Sequence, residues 1–203
     1  MLGISVPNAT VQLVDTNLEA SGPLLITHWG MSGPAILKLS AFGARVLAEK
    51  NYEYKVYVDW LSRPTHKIVN VLLNLKKKHS KKQVIVRSPF DEIPKRLWER
   101  FVLATTIKPT FNWADVSHDQ IDALANQLTK SIFTAKGKST FKEEFVTAGG
   151  VDLKEINFKN FESKLKNNLF FVGEVLNIDA VTGGFNFQNA WTGAYLASQE
   201  LIK

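Results

Sequence analysis

Residues 170–196 read F-F-V-G-E-V-L-N-I-D-A-V-T-G-G-F-N-F-Q-N-A-W-T-G-A-Y-L, a pattern that predicts a strand, a glycine turn and a helix in succession. The apolar run from Leu169 to Val172 is the predicted strand, and Gly183 and Gly184 form the turn before the helix. Two adjacent glycines leave backbone amides uncovered by side chains, and the amino-terminal end of a helix carries about half a positive charge. The turn therefore suits an anionic or carbonyl-rich ligand.

The predicted helix has a continuous apolar face, on which Ser198 is the single polar member. The apolar residues that share this face are Phe187, Ala190, Trp191, Ala194, Tyr195, Leu201 and Ile202. Gly193 interrupts the helix and predicts close packing at that point. Spacing alone leaves two interpretations open: a ligand-binding turn, or an ordinary glycine turn before a terminal helix that docks on a sheet.

Three stretches carry a resemblance to a known family. They are L-L-I-T-H-W-G-M-S-G-P-A-I-L at 24–37, F-V-T-A-G-G-V-D-L-K-E-I at 145–156 and G-E-V-L-N-I-D-A-V-T-G-G-F-N-F-Q-N-A-W-T-G-A-Y-L-A at 173–197. In order and spacing they resemble the bacterial aminoacetone-oxidase-like flavoproteins, also described as NAD(FAD)-utilising dehydrogenases. The resemblance runs from Val6 to the end of the chain. The family commonly has Asp where this chain has Asn177, which removes a charge near the expected flavin, and Gly where it has Ala180, which restricts the turn.

The resemblance implies an FAD site built from glycine turns. It places Gly173 and Glu174 near the ribityl or phosphate region of the flavin, and the double glycine Gly149–Gly150 is either a strand connection or a second turn that closes over the isoalloxazine ring. The other implied cofactor-binding residues are Asp179 and Thr182 in the same segment, and Gly183, Gly184, Phe185 and Asn186 near the pyrimidine edge. Amides at the start of the last helix would stabilise negative charge on reduced flavin.

The family begins with a Rossmann unit, whose fingerprint is G-x-G-x-x-G. The glycines in the first part of this chain never take that spacing; they are Gly3, Gly22, Gly30, Gly33 and Gly43. We therefore expect the chain to be the latter half of a longer flavoprotein. FAD is expected in the complete protein, and the isolated chain is expected to be inactive and to carry little or no flavin.

Composition excludes several classes of protein. The chain has 203 residues, of which 45% are hydrophobic, and this is enough for a packed core. It has no run of about 18 uncharged apolar residues and no signal-peptide pattern, so we expect a cytoplasmic protein with no membrane span. The chain has no cysteine, which excludes a disulfide framework and a flavin enzyme that works through its own redox-active dithiol.

Positive charge is concentrated in one segment. Eleven basic and three acidic side chains lie between Arg63 and Arg100, so this segment carries a net charge of +8 while the whole chain carries +6. The cluster K-K-K-H-S-K-K at 76–82 precedes a predicted strand, Gln83 to Arg87. Such a cluster can bind phosphates, or it can be a solvated helix end whose lysines oppose the helix dipole. No aromatic residues interleave with the lysines, so nucleic acid is the less favoured interpretation.

The predicted fold class is α+β, in three parts. Residues 1–61 read as a β-rich subdomain, a small barrel-like sheet, with a helix that begins near Pro34 and has Ser32 as its N-cap. Residues 62–140 read as an all-helical insert. By the resemblance, residues 141–203 return to the C-terminal strand-turn-helix portion of the FAD-binding domain.

The helical insert carries the clearest local signals. Ser117 and Gln120 form a capping box, with Val116 placed to contact Ile121, and predict a helix whose apolar face runs on to Ile132. A second helix is predicted from about Pro94. Its inward-facing residues are Leu97, Trp98, Phe101 and Val102.

Few side chains have the pattern of catalytic or metal-binding groups. His28 follows the strand Leu24 to Thr27, where an imidazole can contact substrate or flavin or can satisfy backbone groups at a strand end. No pair of histidines or carboxylates has metal-ligand spacing, so we predict no metal.

Two functions from different classes follow. The first is an FAD-dependent oxidoreductase that, when complete, passes hydride between flavin and a nicotinamide nucleotide, NADH or NADPH, or a small amine or alcohol substrate. The second is a non-enzymatic module whose basic helical insert binds RNA or another acidic partner.

Overall fold

The computed structural model describes residues 2–137, 146–178, 180–181 and 183–202. It divides into two compact units. The first unit comprises Met1–Leu39 and Glu53–Lys136, and the second comprises Ser40–Tyr52 and Gly137–Lys203. Helix α1, Pro34–Glu49, begins in the first unit and continues into the second. The predicted subdomain boundaries at residues 61 and 140 remain a prediction.

A curled antiparallel sheet forms one half of the first unit, with the strand order β3-β2-β1-β4-β5. The strands are β1 (Ile4–Leu13), β2 (Glu19–Ile26), β3 (Met31–Ser32), β4 (Glu53–Asp59) and β5 (Ser131–Lys136). Apolar residues alternate along β1, so one face of the strand is buried. The pairing of β1 with β2 shifts register between Val6 and Ala9, around Pro7, which has no N–H group to donate.

Three helices form the other half of this unit: α2 (Thr65–Lys78), α3 (Lys95–Leu103) and α4 (His118–Thr129). The predicted capping box at the start of α4 is confirmed, since the Gln120 amide donates to Ser117 Oγ at 3.2 Å and the Ser117 amide donates to Gln120 Oε1 at 2.9 Å. The predicted inward face of α3 is also confirmed. Trp60 connects the two halves, because it packs against Phe101 and its Nε1 donates to Ser131 Oγ at 3.1 Å.

Three local predictions for this unit are wrong. Gln83 to Arg87 is not a strand. Gln83 forms an isolated bridge to Asn112 and the Val84 amide donates to the Phe111 carbonyl at 3.1 Å, but the pairing extends no further. The helix that was expected to reach Ile132 ends at Thr129, and Ser131–Lys136 pairs with β4 as β5. Ser32 is not an N-cap, since it pairs with Leu25 in β3 and α1 begins directly at Pro34.

The second unit contains two short paired strands, β6 (Ile156–Asn157) and β7 (Glu162–Ser163), and the terminal helix α5 (Gly184–Leu201). Its buried core consists of Ile156, Phe161, Leu176 and Ala197. The strand predicted at Leu169 to Val172 is wrong. Phe170 makes an isolated bridge to Glu162, in which the Ser163 amide donates to the Leu169 carbonyl at 2.7 Å and the Phe171 amide donates to the Phe161 carbonyl at 3.1 Å, and the pairing extends no further in the part of the chain that the structure describes.

Helix α5 does not bury the apolar face that its sequence suggests. Phe187, Trp191 and Tyr195, spaced four residues apart, are 62%, 69% and 64% exposed, and the buried residues of the helix are Asn186, Gly193 and Ala197. The prediction that Gly193 allows close packing is confirmed, because a Cβ atom there would lie 3.0 Å from Phe161 Cε1.

The predicted α+β class, with a small barrel-like sheet and a helical part, is confirmed. Of the helices in the described residues, none is both long and apolar enough to cross a membrane.

Candidate functional site

The double-glycine turn predicted at Gly149 and Gly150 and the segment that begins with Gly173 and Glu174 lie side by side in the second unit. Val151 and Leu176 form a parallel bridge, in which the Val151 amide donates to the Val175 carbonyl at 2.9 Å and the Asn177 amide donates to the Val151 carbonyl at 3.0 Å. The structure therefore brings together two segments that are separated by about twenty residues of sequence.

Gly150 is required by the close approach of these two backbones. Its φ is +140°, and a Cβ atom would lie 2.4 Å from the carbonyl oxygen of Val175. Its role here is structural. Gly149 differs, because its φ is +105° but a Cβ atom would meet no atom within 4 Å. Of the two predicted residues, Gly149 is the one with open space beside it.

Gly173 and Glu174 form a short 3-10 helix, Gly173–Val175, that packs against α5. Gly173 has a φ of +75°, and a Cβ atom there would lie 3.7 Å from Ala190 Cβ, an ordinary contact. The backbone conformation rather than lack of space therefore favours glycine. Glu174 is exposed. Within the same unit, the Arg45 guanidinium on α1 donates to Asn177 Oδ1, so the residue that departs from the family's Asp has a cationic partner.

No described side chain caps the backbone amides at the start of α5. Gly183 precedes the helix with a φ of +143° and no side-chain hydrogen bond, and a Cβ atom on either Gly183 or Gly184 would meet no described atom within 4 Å. Phe185 is 76% exposed, whereas Asn186 is buried. Because the first amides of a helix lack intrahelical partners and the helix dipole is positive there, this turn can accept an anionic or carbonyl-bearing group.

The remaining predicted residues lie elsewhere. Asp179 and Thr182 lie outside the described residues. His28 is exposed in a turn of the first unit, where Thr27 and Gly30 bond to each other across the turn and the His28 ring contacts Trp29 edge-on. The assignment of all these residues to a cofactor or to catalysis stays a prediction. Within the described residues, no three acidic or histidine side chains are grouped to hold a metal ion.

A polar cavity of about 350 Å³ in the first unit was missed from the sequence. It is lined by Thr10, Asp59, Ser62, Arg63, Pro64, Thr65 and Thr129. Thr10 Oγ1 lies 2.9 Å from Ser62 Oγ, and burial raises the pKa of Asp59 although backbone hydrogen bonds oppose the rise. No sequence signal marks this group, because its members are spread between residues 10 and 129. Both Asp59 oxygens already accept backbone amides, from Leu61 and Arg63, so the carboxylate holds the turn after β4.

The chain is similar to known proteins along its whole length. Residues 1–146 match the family model described as the HI0933-like protein barrel and H2TH domain. The chain is 32% identical over 201 residues to a ribosomal RNA dihydrouridine synthase of Haemophilus influenzae, and this match covers 99% of the chain and 47% of the relative. It is 28% identical over 202 residues to a ribosomal RNA dihydrouridine synthase of Escherichia coli, and this match covers 100% of the chain and 47% of the relative. It is 29% identical over 185 residues to a 3-dehydro-bile acid delta(4,6)-reductase of Clostridium scindens, covering 89% of this chain and 44% of the relative.

The chain thus spans about half the length of the curated relatives it matches. The predicted relation to flavoproteins is confirmed at the level of the wider superfamily, and the aminoacetone-oxidase-like label stays a prediction. The match to residues 1–146 means that the chain belongs to the HI0933-like family, a family related to the FAD-dependent oxidoreductases.

Proposed function

We propose that this chain forms part of a flavin-dependent reductase and contacts the pyrimidine edge of FAD with the turn that starts α5. One observation carries the proposal: among the described residues, no side chain caps the first amides of the 18-residue helix that follows Gly183, and the space beside Gly183 and Gly184 is open. The donors are backbone N–H groups in the field of a helix dipole. They fit a ligand edge that presents carbonyl oxygens and gains negative charge, as a flavin's pyrimidine edge does on reduction.

The glycine turn at 149–150 and the short 3-10 helix that begins at Gly173 support the same proposal. The bridge between Val151 and Leu176 holds these two segments together, so a ligand can contact both without ordering either. Gly149 has open space and Glu174 is exposed beside it, and these two positions would face the ribityl or ring region. Gly150 would act only by holding the backbones together.

The relatives support the reaction class. Two are named for a dihydro product and the third is named a reductase, and both names describe addition of hydrogen to an unsaturated substrate. We therefore favour reduction, with a nicotinamide nucleotide as hydride donor, over oxidation of a small amine or alcohol. Because the chain spans about half of each relative, we assign the adenosine and pyrophosphate contacts to a Rossmann unit outside these 203 residues.

The chain's own contribution is electrostatic. When bound, FAD would supply the hydride chemistry, which no side chain can supply. The amides of Gly184 and Phe185 would hold negative charge at the ligand edge without reorganisation, because the helix fixes them beforehand. Since the chain has no cysteine, it contributes no dithiol to the reaction.

The proposal is tested with Gly184→Val in the complete flavoprotein. A Cβ atom at Gly184 would meet no described atom within 4 Å outside the start of the helix itself, and Gly184 lies outside the left-handed region, so the variant should fold normally. It should lose its flavin, because the branched side chain occupies the space reserved for the ring. Flavin content is measured by absorbance at about 450 nm, and folding is measured by thermal melting.

Gly30→Val is the matched control, since Gly30 also has open space around it and lies outside the left-handed region. It should keep a full complement of flavin. A folded Gly184→Val protein that retains its flavin would show that the turn is only structural. The isolated 203-residue chain should purify with little flavin in either case, because it lacks the Rossmann contacts.

A further inference from the structure

Four exposed lysines lie close together at the end of α2 and in the turn that follows it. We define the basic loop as residues 76–82, the last residues of α2 and the turn after them. Lys77, Lys78, Lys81 and Lys82 are exposed, and none of their side chains forms an ion pair or hydrogen bond within the residues that the structure describes. Lys76 differs, because its Nζ donates to the carbonyl oxygens of Ala114 and Val116. Lys76 therefore holds the loop against the chain, and the other four lysines extend their charged groups into solvent.

The acidic residues of the same segment do not neutralise these lysines. Glu92 pairs with Arg63, and Glu99 lies 3.9 Å from Lys95 on α3. Asp91, the third acidic residue of the segment, is exposed and makes no ion pair with the basic loop among the described residues. The net charge of +8 between residues 63 and 100 is therefore concentrated at the loop and its surroundings.

Backbone hydrogen bonds hold the basic loop in place. The Trp113 amide donates to the Lys82 carbonyl at 3.0 Å, and the Ala114 amide donates to the Ser80 carbonyl at 3.0 Å. The His79 amide donates to the Leu75 carbonyl at 2.8 Å, which ends the helix. A ligand would thus order only lysine side chains and not the backbone, so little conformational entropy opposes binding.

The helix dipole does not account for this charge. Its effect is worth about 0.3–1 kcal/mol and falls off within the last turn of the helix. Lys76, Lys77 and Lys78 lie in that last turn, but Lys81 and Lys82 lie beyond it. Two unpaired charges therefore remain without a structural reason.

We infer that the basic loop is a docking surface for the phosphate backbone of RNA. This inference rests on the proposed function, because it identifies RNA as the substrate that the loop positions. Lysine ammonium groups bind phosphates as point charges. No aromatic residue occurs between 76 and 82, so the loop contacts phosphates and leaves the bases to other parts of the protein. The two relatives named for ribosomal RNA favour RNA over an acidic protein or a membrane.

The test compares two variants of the 203-residue chain, each lacking four lysines. The loop variant replaces Lys77, Lys78, Lys81 and Lys82 by Ala. The control variant replaces by Ala four exposed lysines whose side chains make no ion pair or hydrogen bond among the described residues, so that both variants have the same net charge. These lysines are Lys55, Lys154, Lys159 and Lys166. Binding of a labelled RNA stem–loop of about 20 nucleotides is followed by fluorescence anisotropy over a range of salt concentrations. Circular dichroism verifies that both variants fold.

The loop variant should bind RNA at least about tenfold more weakly at physiological salt, and its salt slope should fall by about three, since each phosphate contact contributes about 0.7–0.9. The control variant should keep most of its affinity for RNA and most of the salt slope. Equal losses in the two variants, an unchanged slope in the loop variant, or no RNA binding by the parent chain would each overturn the inference. Binding through the loop to phosphatidylserine vesicles or to polyglutamate, without RNA binding, would overturn it in favour of that partner.

These outcomes are independent of the proposed function, because RNA binding by the chain needs no flavin. A complete protein that retains flavin while its loop fails to bind RNA would leave the reductase proposal intact. A chain whose loop binds RNA, in a protein that never takes up flavin, would overturn the reductase proposal and leave the loop's ligand unchanged.

Discussion

Two tryptophans illustrate how differently the two units are built. In the first unit, Trp98 on α3 is fully buried, its ring lies near Phe90 and Trp113, and its Nε1 donates to the Val84 carbonyl at 2.8 Å. In the second unit, Trp191 on α5 stacks on Phe187 at the surface. Helix α5 instead turns small residues inward, with Gly193 against the Phe161 ring.

The difference shows what an apolar stripe does and does not predict. The stripe of α3 is covered by the chain's own aromatic residues, so the pattern and the buried face agree. The aromatic residues of the α5 stripe are exposed, and an exposed patch of this kind is typical of an interaction surface. Periodicity therefore identifies a face that prefers to be covered, whereas the covering partner depends on tertiary structure.

The largest expected effect is the difference in unfolding free energy between alanine variants of these two tryptophans. Trp98→Ala should lower the free energy of unfolding by about 3–5 kcal/mol, because it leaves a cavity and removes the partner of the Val84 carbonyl. Trp191→Ala should change it by less than about 0.5 kcal/mol, because the side chain is already exposed. Chemical denaturation followed by circular dichroism measures both. A loss of several kcal/mol in Trp191→Ala would mean that α5 is covered after all, and the comparison would fail.

Local signals predicted the helical part well. The capping box of α4 involves residues three apart, and the buried face of α3 repeats at helical spacing, so both are written within one short segment. Two of the predictions that failed depended on partners that are distant in the sequence. Ser131–Lys136 is a strand because it pairs with β4, more than seventy residues earlier, and Gln83 to Arg87 is not one because no strand lies beside it in the described structure.

The candidate site was predictable only in part. The sequence showed two double-glycine turns, and the structure places the 149–150 turn against the 173–177 segment. What no pattern could show is that Gly150 has no room for a side chain while Gly149 has open space, because that depends on where Val175 lies. The hydroxyl groups of Thr10, Ser62 and Thr129 were missed for the same reason: they meet only after folding.

Two glycines of the second unit provide the next test. Gly150→Ala should cost about 2–3 kcal/mol, since its Cβ would overlap the Val175 carbonyl and its φ of +140° is strained for alanine. Gly184→Ala should leave stability unchanged or raise it by less than about 1 kcal/mol, because the position is open and alanine favours a helix. Thermal melting of both variants measures these changes in stability. Equal costs would show that both glycines serve folding, which would weaken the case for a ligand at Gly184.

The smallest expected change in stability concerns the amino-terminal ends of α4, in the first unit, and α5, in the second. Helix α4 carries its own cap, whereas α5 starts at Gly183 without a side-chain hydrogen bond. Ser117→Ala should cost about 1 kcal/mol, because the Gln120 amide loses its acceptor at an exposed helix end. Ser117→Asp is the control and should retain stability, since a carboxylate accepts the same bond and favours the positive end of the dipole.

Gln120 makes the prediction sharper, because its side chain accepts from the Ser117 amide and also donates to Thr106 at 3.1 Å. Gln120→Ala should therefore cost at least as much as Ser117→Ala. The double variant should cost less than the sum of the two single changes, since each of them already loosens the same reciprocal pair. The three free energies come from urea denaturation of the single and double variants. Strict additivity would mean that the two hydrogen bonds act independently and that α4 owes its well-defined start to the buried residues Val116 and Ile121 instead.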